Sequence, residues 1–344
     1  MNFLRRLNPR SVAMSLSSRI RTQAISSHNT PFPAAEPDAE TIFQAWHEFD
    51  PSAKRWCTVD TTKSTDSSSF TQQASPQDTK LVAVTWNVDA FAKETEARIS
   101  ALLSHITTQT PAVDIIFLQE VSIEALKFIL NDSGFRESWF SSEADATNWE
   151  WLPFATMTFL SKSRFANAKG AMPMASIGPI WRVCYPSRYG RDALCCDIFM
   201  PPSESSSSAP SSAETRIRLI NVHLDSLPCY PSFRPRQLSI VTSFLRSADC
   251  GLVAGDFNPV QEEDATLIQE NGLVDAWLEL RQEESGFTWG VDGKAPFPPN
   301  RMDRVATVGL KPLDIEVMHP EAIRERLPWS DHSGLKYSFE IPGN

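Results

Sequence analysis

The sequence has 344 residues, of which 41% are hydrophobic, and it carries a formal net charge of −10 at pH 7. This length and composition indicate a globular protein with a large buried core. No apolar run approaches the roughly 18 residues that a membrane-spanning helix needs, so we expect no membrane segment. The acidic balance argues against a protein that coats long nucleic acid, but not against binding of a single phosphate.

The six cysteines form no CxxC pair, and Cys195 and Cys196 are adjacent in an apolar run. Because neighbouring strand residues point to opposite faces, this pattern fits two buried thiols better than a disulfide. Buried free thiols are typical of a reducing environment, which predicts an intracellular protein.

Residues 1–35 contain no Asp or Glu, but five arginines are spaced among Ser, Leu, Ile and Ala. This composition fits a mitochondrial targeting segment and fits a disordered tail equally well. The predicted localisation is mitochondrial in the first case, and nuclear or cytoplasmic in the second. Residues 36–79 are predicted to be a linker with a short docking segment, and the main domain is expected to begin near residue 80.

The main domain begins with alternating strands and helices. A buried strand at 81–84 precedes a helix with an apolar stripe over 99–106, and a second strand at 115–118 precedes another helix. Ser122 is the predicted N-cap of that second helix, and Gly134 is predicted to close it.

The second half is richer in strands. The Ser-rich stretch 203–213 lies between two of them and is predicted to be an exposed hairpin insertion. Pro235 is expected to open a helix that leads into a buried strand at 251–256. Two similar α/β halves are therefore plausible from the order of elements.

Polar residues follow several of these strands at the point where each strand ends. Ligands of layered α/β folds bind outside strand ends, so we expect these side chains to converge on one cleft. The residues concerned are Asn87, Asp89, Glu120, His223, Asp256, Asn258, Asp331 and His332.

Oxygen donors dominate this set, and the sequence has no HExxH motif and no Cys cluster, so Mg²⁺ or Mn²⁺ is expected rather than zinc. Two bare carboxylates about 4 Å apart repel by about 4 kcal/mol at an effective dielectric near 20, which a divalent cation would relieve. Mg²⁺ commonly binds one or two carboxylates plus substrate phosphate, which indicates phosphate-ester chemistry. In such chemistry Asp256 is the candidate base, Asn258 a phosphate donor and His332 a cation facing the phosphoryl oxygens.

Five short motifs occur in order along the main domain: TWNVD at 85–89, LQEV at 118–121, HLDS at 223–226, GDFN at 255–258 and SDHSG at 330–334. Together they resemble the endonuclease/exonuclease/phosphatase superfamily, and within it the 5′-tyrosyl-DNA phosphodiesterases. The resemblance implies an α/β fold, a four-layer sandwich of two mixed β-sheets flanked by helices. It also implies that residues 80–344 form the catalytic domain.

The resemblance assigns the metal side of the site. Glu120 would be the principal ligand of Mg²⁺ or Mn²⁺, assisted by Asn87 and Asp89. Asp331 would support the metal indirectly.

It assigns the catalytic side as well. Asp256 would orient or deprotonate the attacking water, Asn258 would bind the phosphate, and His332 would stabilise the transition state with its imidazole fixed by Asp303. The phosphate pocket would be lined by His223, Ser226 and Arg191.

The implied activity is Mg²⁺-dependent hydrolysis of a 5′-phosphotyrosyl-DNA bond in DNA repair, by a protein expected to be a monomer that binds a nucleic acid end. One alternative keeps the chemistry and changes the substrate to abasic DNA, an RNA end, a phosphoinositide or a small phosphodiester. Another is a catalytically silent binding module on the same fold, which loss of a ligand would favour.

Overall fold

The strands and helices are taken from a computed structural model that describes residues 30–34, 36–61, 80–149, 152–166, 175–200, 214–325 and 327–341. No helix within these ranges is long and apolar enough to cross a membrane. The strands are β1 Glu40–Gln44, β2 His47–Asp50, β3 Arg55–Thr58, β4 Lys80–Asn87, β5 Ile115–Ser122, β6 Trp139–Ser141, β7 Phe154–Ser161, β8 Ser176–Cys184, β9 Asp192–Met200, β10 Thr215–His223, β11 Cys250–Asp256, β12 Val274–Asp275, β13 Asp303–Val308, β14 Lys311–Met318, β15 Ala322–Arg324, β16 Leu327–Pro328 and β17 Gly334–Glu340.

The helices cover the two faces of the sheets. They are α1 Thr95–Thr107, α2 Ile123–Asn131, α3 Ser133–Ser138, α4 Lys162–Phe165, α5 Arg234–Arg246, α6 Leu267–Glu270 and α7 Ala276–Leu280, with 3₁₀ turns at Thr147–Trp149 and Glu262–Ala265.

Two mixed sheets form the centre of the molecule. The first has the strand order β1-β8-β9-β10-β11-β13-β12, and the second has the order β14-β17-β4-β5-β7-β6-β2-β3. One pair of neighbours in each sheet is parallel, β10 with β11 and β4 with β5. Because parallel partners end at the same edge of a sheet, these two pairs carry their polar terminal residues to the same side.

The alternation of residues along the central strands explains the layers. In β4, Leu81 and Ala83 pack into the core between the two sheets, whereas Val82, Val84 and Trp86 pack under the helices on the outer face. The helices α1 and α2 cover that face of the second sheet, and α5 covers the first sheet. This is the predicted four-layer sandwich, and the fold class is confirmed.

The N-terminal boundary differs from the prediction. Strand β1 pairs with β8 in the first sheet, while β2 and β3 extend the edge of the second, so residues 40–58 are integral to both sheets rather than a docking segment on a linker. Phe32 also packs edge-on against three aromatic rings, with centroids 5.5 to 5.7 Å away. The predicted domain start at residue 80 is therefore too late, because β1 and β2 join the sheets by pairing with strands far along the chain and β3 follows as the hairpin partner of β2. Residues 1–29 and 62–79 lie outside the described residues.

The C-terminal end of the second predicted helix also differs from the prediction. Helix α2 begins at the predicted cap, where Ser122 accepts a hydrogen bond from the Ala125 amide at 3.1 Å, but it ends at Asn131 instead of Gly134. The reason is Asp132, whose carboxylate caps a second short helix, α3. The Ser-rich insertion 203–213 lies outside the described residues, and its flanking strands β9 and β10 pair antiparallel as expected of a hairpin.

Candidate active site

The two parallel strand pairs bring their terminal residues to one edge of the sandwich. In the β4–β5 pair Asn87 lies beside Gln119, and in the β10–β11 pair His223 lies beside Asp256. Beneath this edge the Gln119 amide donates to Asn221 Oδ1 across the gap between the sheets, at 2.8 Å. The residues beyond the strand ends therefore face a common cleft.

Three residues of this cleft have a left-handed backbone. The φ angles are 53° at Asp89, 55° at Glu120 and 46° at Asn258, and Glu120 lies within the register shift between Leu118 and Val121. A non-glycine residue in this region costs about 1–3 kcal/mol. The fold sustains that cost at three positions, all of them predicted site residues.

The predicted metal side is a group of buried and half-buried oxygen donors. Glu120 Oε2 accepts from the Ala90 amide at 3.1 Å, and Asn87 Oδ1 accepts from the Asp89 amide at 3.1 Å. Burial raises the pKa of the Glu120 carboxyl, and burial together with the charge of Asp331 raises the pKa of Asp89. A hard divalent cation would stabilise the ionised form of both carboxylates, so the donor set fits Mg²⁺ or Mn²⁺.

His332 and Asp303 form a hydrogen-bonded pair on the opposite side of the cleft. His332 Nδ1 lies 2.8 Å from Asp303 Oδ2, and His332 Nε2 lies 3.9 Å from Asp256 Oδ2. Burial opposes a charged imidazole, but the carboxylates of Asp303 and Asp256 outweigh it and raise the pKa of His332 well above its usual range. The imidazolium therefore faces the cleft with its Nε2.

The same three residues have ligand-type atoms within 4.8 Å of one another, a spacing that a metal ion would also accept. We favour the hydrogen-bonded pair, because the 2.8 Å contact already occupies Nδ1 and one oxygen of Asp303. Glu120, the predicted principal ligand, is outside this cluster. The cluster is therefore better suited to proton and charge chemistry than to holding the ion.

Asp256 is buried and held at both oxygens. Its Oδ2 accepts from the Asn87 side-chain amide at 3.0 Å, and its Oδ1 accepts from the Asn258 backbone amide at 2.9 Å. Burial is the main reason that the pKa of Asp256 is raised to about 7. A carboxylate with this pKa can take a proton near neutral pH. The Asn258 side chain donates to the Leu224 carbonyl at 3.1 Å, and its amide has a second N–H.

His223 lies between the metal side and Asp256. Its Nε2 is 3.8 Å from Glu120 Oε1 and 3.5 Å from Asp256 Oδ2. Burial, reinforced by the cations Arg191 and His332, lowers the pKa of His223 well below its usual range. The ring is therefore neutral and can act as a hydrogen-bond donor rather than as a second cation.

Arg191 and Ser226 line a pocket beside His223. The Arg191 guanidinium lies 4.8 Å from the centre of the Phe154 ring, and its Nε has no hydrogen-bond partner among the described residues. The pocket has a volume of about 370 Å³ and a mostly apolar wall. Its lining includes Phe91, Leu152, Pro153, Phe154, Tyr189, Arg191, His223 and Ser226.

The structure thus places the predicted site residues near one another, with Asp331 exposed and its Oδ2 accepting from Trp289 Nε1 at 3.2 Å. It also adds residues that the sequence reasoning missed. Ser330 Oγ donates to the Asn87 carbonyl at 2.6 Å and accepts from the His332 amide at 3.0 Å. Thr288 Oγ1 accepts from the Asp303 amide at 3.0 Å. Only Ser330 had a signal, its place in the SDHSG motif, since Thr288 is 15 residues from its partner.

The Endonuclease/Exonuclease/phosphatase family matches residues 84–332, more than half of the chain. The chain belongs to this family, whose members generally depend on a divalent metal ion.

Tyrosyl-DNA phosphodiesterase 2 of Danio rerio is 24% identical to this chain over 272 residues, which is 71% of this chain and 65% of that protein. The chain thus spans less than two thirds of that relative. Among solved structures, humanized D. rerio TDP2 carrying 14 mutations is 21% identical, with a TM-score of 0.60 over 76% of this chain and 100% of that chain.

D. rerio TDP2 complexed with a single strand DNA product is 20% identical, with a TM-score of 0.59 over 76% of this chain and 99% of that one. TDP2 from C. elegans is 20% identical, with a TM-score of 0.57 over 76% and 75% of the two chains. These likenesses establish the shared fold. Together with the family match they confirm the predicted resemblance to the tyrosyl-DNA phosphodiesterases.

Proposed function

We propose that this protein is a Mg²⁺-dependent phosphodiesterase that hydrolyses a 5′-phosphotyrosyl-DNA bond by in-line attack of water, and so acts in DNA repair. The observation that carries the proposal is the placement of Asp256. Its carboxylate lies within 4 Å of both His223 and His332, and His223 in turn lies 3.8 Å from Glu120. A phosphoryl group placed among these residues would meet a base, a cation and the metal side at once.

Glu120 would hold the ion, with Asn87 and Asp89 as further oxygen donors and Asp331 supporting them. A bound Mg²⁺ would supply charge neutralisation at the phosphoryl oxygens and polarise the scissile bond. Mn²⁺ suits the same oxygen ligands. The raised pKa values of Glu120 and Asp89 support this assignment, because a cation would stabilise both carboxylates.

Asp256 would orient the attacking water and accept its proton. Its pKa of about 7 suits a base at neutral pH, where it is substantially ionised and still basic enough to accept a proton. The amides of Asn87 and Asn258 fix the plane of the carboxylate, since each donates to a different oxygen. The water would therefore be aimed at phosphorus from one direction only.

His332 would stabilise the negative charge that develops on the phosphoryl oxygens. Asp303 keeps its imidazole protonated and oriented, so the cation needs no rearrangement during the reaction. Asn258 would donate its second side-chain N–H to the phosphate. His223, Ser226 and Arg191 would bind the remaining oxygens from the pocket side.

The apolar pocket supports an aromatic leaving group. Phe91 and Phe154 form part of its wall, and the half-buried Arg191 lies over the Phe154 ring at 4.8 Å. A phenol ring would fit beside such surfaces and would leave as a phenolate, whose conjugate acid has a pKa of about 10. That leaving group is weakly basic enough to depart without a strong general acid. The name of the D. rerio relative and the DNA product bound in a D. rerio structure support the same substrate.

The test is Mg²⁺-dependent release of tyrosine from a single-stranded DNA with a 5′-phosphotyrosine. Abasic duplex DNA, poly(A) RNA and a phosphoinositide would be assayed in parallel, with Asp256→Asn as the blank. We expect tyrosine release that is absent in the blank. Activity on another panel member alone would refute the substrate assignment but keep the site, and inactivity on all four would favour a binding module.

We also propose that the protein acts as a monomer, because one chain supplies every residue of the cleft. Light scattering on the purified protein should give the mass of a single chain at assay concentrations. A dimer that dissociates with loss of activity would overturn this proposal.

A further inference from the structure

Arg98 is a buried arginine whose hydrogen bonds all go to backbone carbonyls. It lies on α1 with only 1% of its surface exposed. Its Nε and two terminal nitrogens donate to the carbonyls of residues 88, 89, 92, 93 and 329, at 2.5 to 3.2 Å. A guanidinium has five N–H donors, so every one of them is used.

These carbonyls belong to two loops that both enter the candidate site. Four lie in the metal loop, residues 88–94, which follows Asn87 and contains Asp89. The fifth is the Trp329 carbonyl in the histidine loop, residues 329–333, which contains Asp331 and His332. One side chain on a rigid helix therefore fixes the separation of the two loops.

The metal loop needs such support. Asp89 and Glu94 have φ angles of 53° and 57°, a left-handed conformation that non-glycine residues adopt at a cost. Arg98 donates to the carbonyls of residues 89, 92 and 93, and it thereby supports the loop from the first of these strained positions to the residue before the second.

The charge of Arg98 also affects the acidic residues of the site. No carboxylate within the described part of the chain is hydrogen-bonded to it, although Asp89, Asp331 and Glu124 lie near enough to stabilise the cation. Two of these three acids are the residues predicted to bind or support the metal. Arg98 thus holds a positive charge behind the metal loop, where it partly offsets the acids of the site.

We propose that Arg98 is a positioning residue that couples divalent-metal binding at the metal loop to the placement of His332, an inference that rests on the proposed metal-dependent function. Asp89 would become fixed on helping to hold the ion, and Arg98, which donates to the carbonyls of both Asp89 and Trp329, would then hold the histidine loop at a set distance from the metal loop. Ser330 assists the same link through the Asn87 carbonyl. Arg98 does not touch the reacting atoms.

The test is direct Mn²⁺ binding by calorimetry on the full chain, with Arg98→Lys and Arg98→Gln compared with wild type. We expect the dissociation constant for Mn²⁺ to rise about tenfold or more in both variants, as is usual when a group that orients metal ligands is lost. The matched control is Arg218→Lys, since Arg218 is also fully buried and hydrogen-bonded at all three guanidinium nitrogens, but to Asp197, Ser247 and carbonyls remote from the cleft. The control should lower the thermal midpoint without changing Mn²⁺ affinity.

Hydrogen exchange supplies the second readout, and the measurement on wild type is informative by itself. In wild type, Mn²⁺ should protect amides in both loops, and in Arg98→Lys it should protect residues 88–94 but not 329–333. Equal Mn²⁺ affinity in wild type and Arg98 variants, or protection confined to the metal loop in wild type, would overturn the inference alone. Failure of wild type to bind Mn²⁺ would refute the proposed metal chemistry as well.

Discussion

Asp303→Asn should remove the charge that keeps His332 protonated while preserving the shape of the side chain. Opposite charges 2.8 Å apart attract by about 6 kcal/mol at an effective dielectric near 20. Without that attraction the pKa of His332 falls, because burial still disfavours the charged imidazole and the largest opposing influence, Asp303, is gone.

The expected result is a fall in kcat of about 10²–10⁴-fold at pH 7, because a cation no longer faces the phosphoryl oxygens. As pH rises, the variant should lose activity at a lower pH than wild type does, because the pKa of His332 falls and its imidazole deprotonates earlier. The assay is tyrosine release from the 5′-phosphotyrosyl oligonucleotide between pH 5 and 9, with Mg²⁺ saturating.

The control is Asp275→Asn. Asp275 is buried on the neighbouring strand β12 and pairs with Arg301 at 2.7 Å, outside the cleft. This variant should lose stability and keep the wild-type pH profile. A wild-type rate and pH profile in Asp303→Asn would refute the assigned role of the His332–Asp303 pair.

Three further predictions concern the fold, the site charge and the N-terminus. Gly255→Ala should unfold the protein or lower its free energy of unfolding in urea by more than about 3 kcal/mol, because φ is +141° and a Cβ would lie 2.0 Å from a carbonyl oxygen of β10. The control Gly293→Ala, where a Cβ would have nothing within 4 Å, should cost about 1–2 kcal/mol. Equal losses of stability in the two variants would contradict the close approach at Gly255. With a chelator present, the raised pKa of Asp256 makes the free energy of unfolding of wild type fall as pH rises from about 4 to about 7. Asp256→Asn should be inactive, and it should be more stable than wild type at pH 8. Lower stability of the variant at pH 8 would contradict the cost of the buried charge. Deleting residues 1–29 should leave folding and activity intact, because Phe32, which packs on the core, is retained. A fluorescent fusion that loses mitochondrial import on this deletion would support the targeting interpretation. Unchanged localisation would exclude it.

The central strands and the strand-end residues were predictable because their signals are local. Each central strand is a short apolar run buried on both faces, and each ends at a polar residue such as Asn87 or Asp256. The motif order then fixed which polar residues belong together. For these elements the structure adds the distances between residues that the sequence had already identified.

The missed features depend on contacts between distant parts of the chain. Strands β1 and β2 pair with strands far along the chain, and β3 joins the sheet only through its hairpin with β2. Strand β14 is a half-exposed edge strand without a buried apolar run. Arg98 is an ordinary helix residue by sequence, and its partner Trp329 is 231 positions distant. Residues that support loops in this way have no sequence motif of their own, because they bind backbone carbonyls, which every residue has.

The most direct test of the central claim is the Mg²⁺ dependence of tyrosine release by wild type, Glu120→Gln and Asp256→Asn. We predict that wild-type activity is abolished by chelator and restored by Mg²⁺, and that Glu120→Gln requires more Mg²⁺ for half-maximal activity. Asp256→Asn should stay at least about 100-fold slower at saturating Mg²⁺. Wild-type release that persists in chelator, or an Asp256→Asn variant as fast as wild type, would contradict the claim that these strand ends form a metal-dependent phosphodiesterase site.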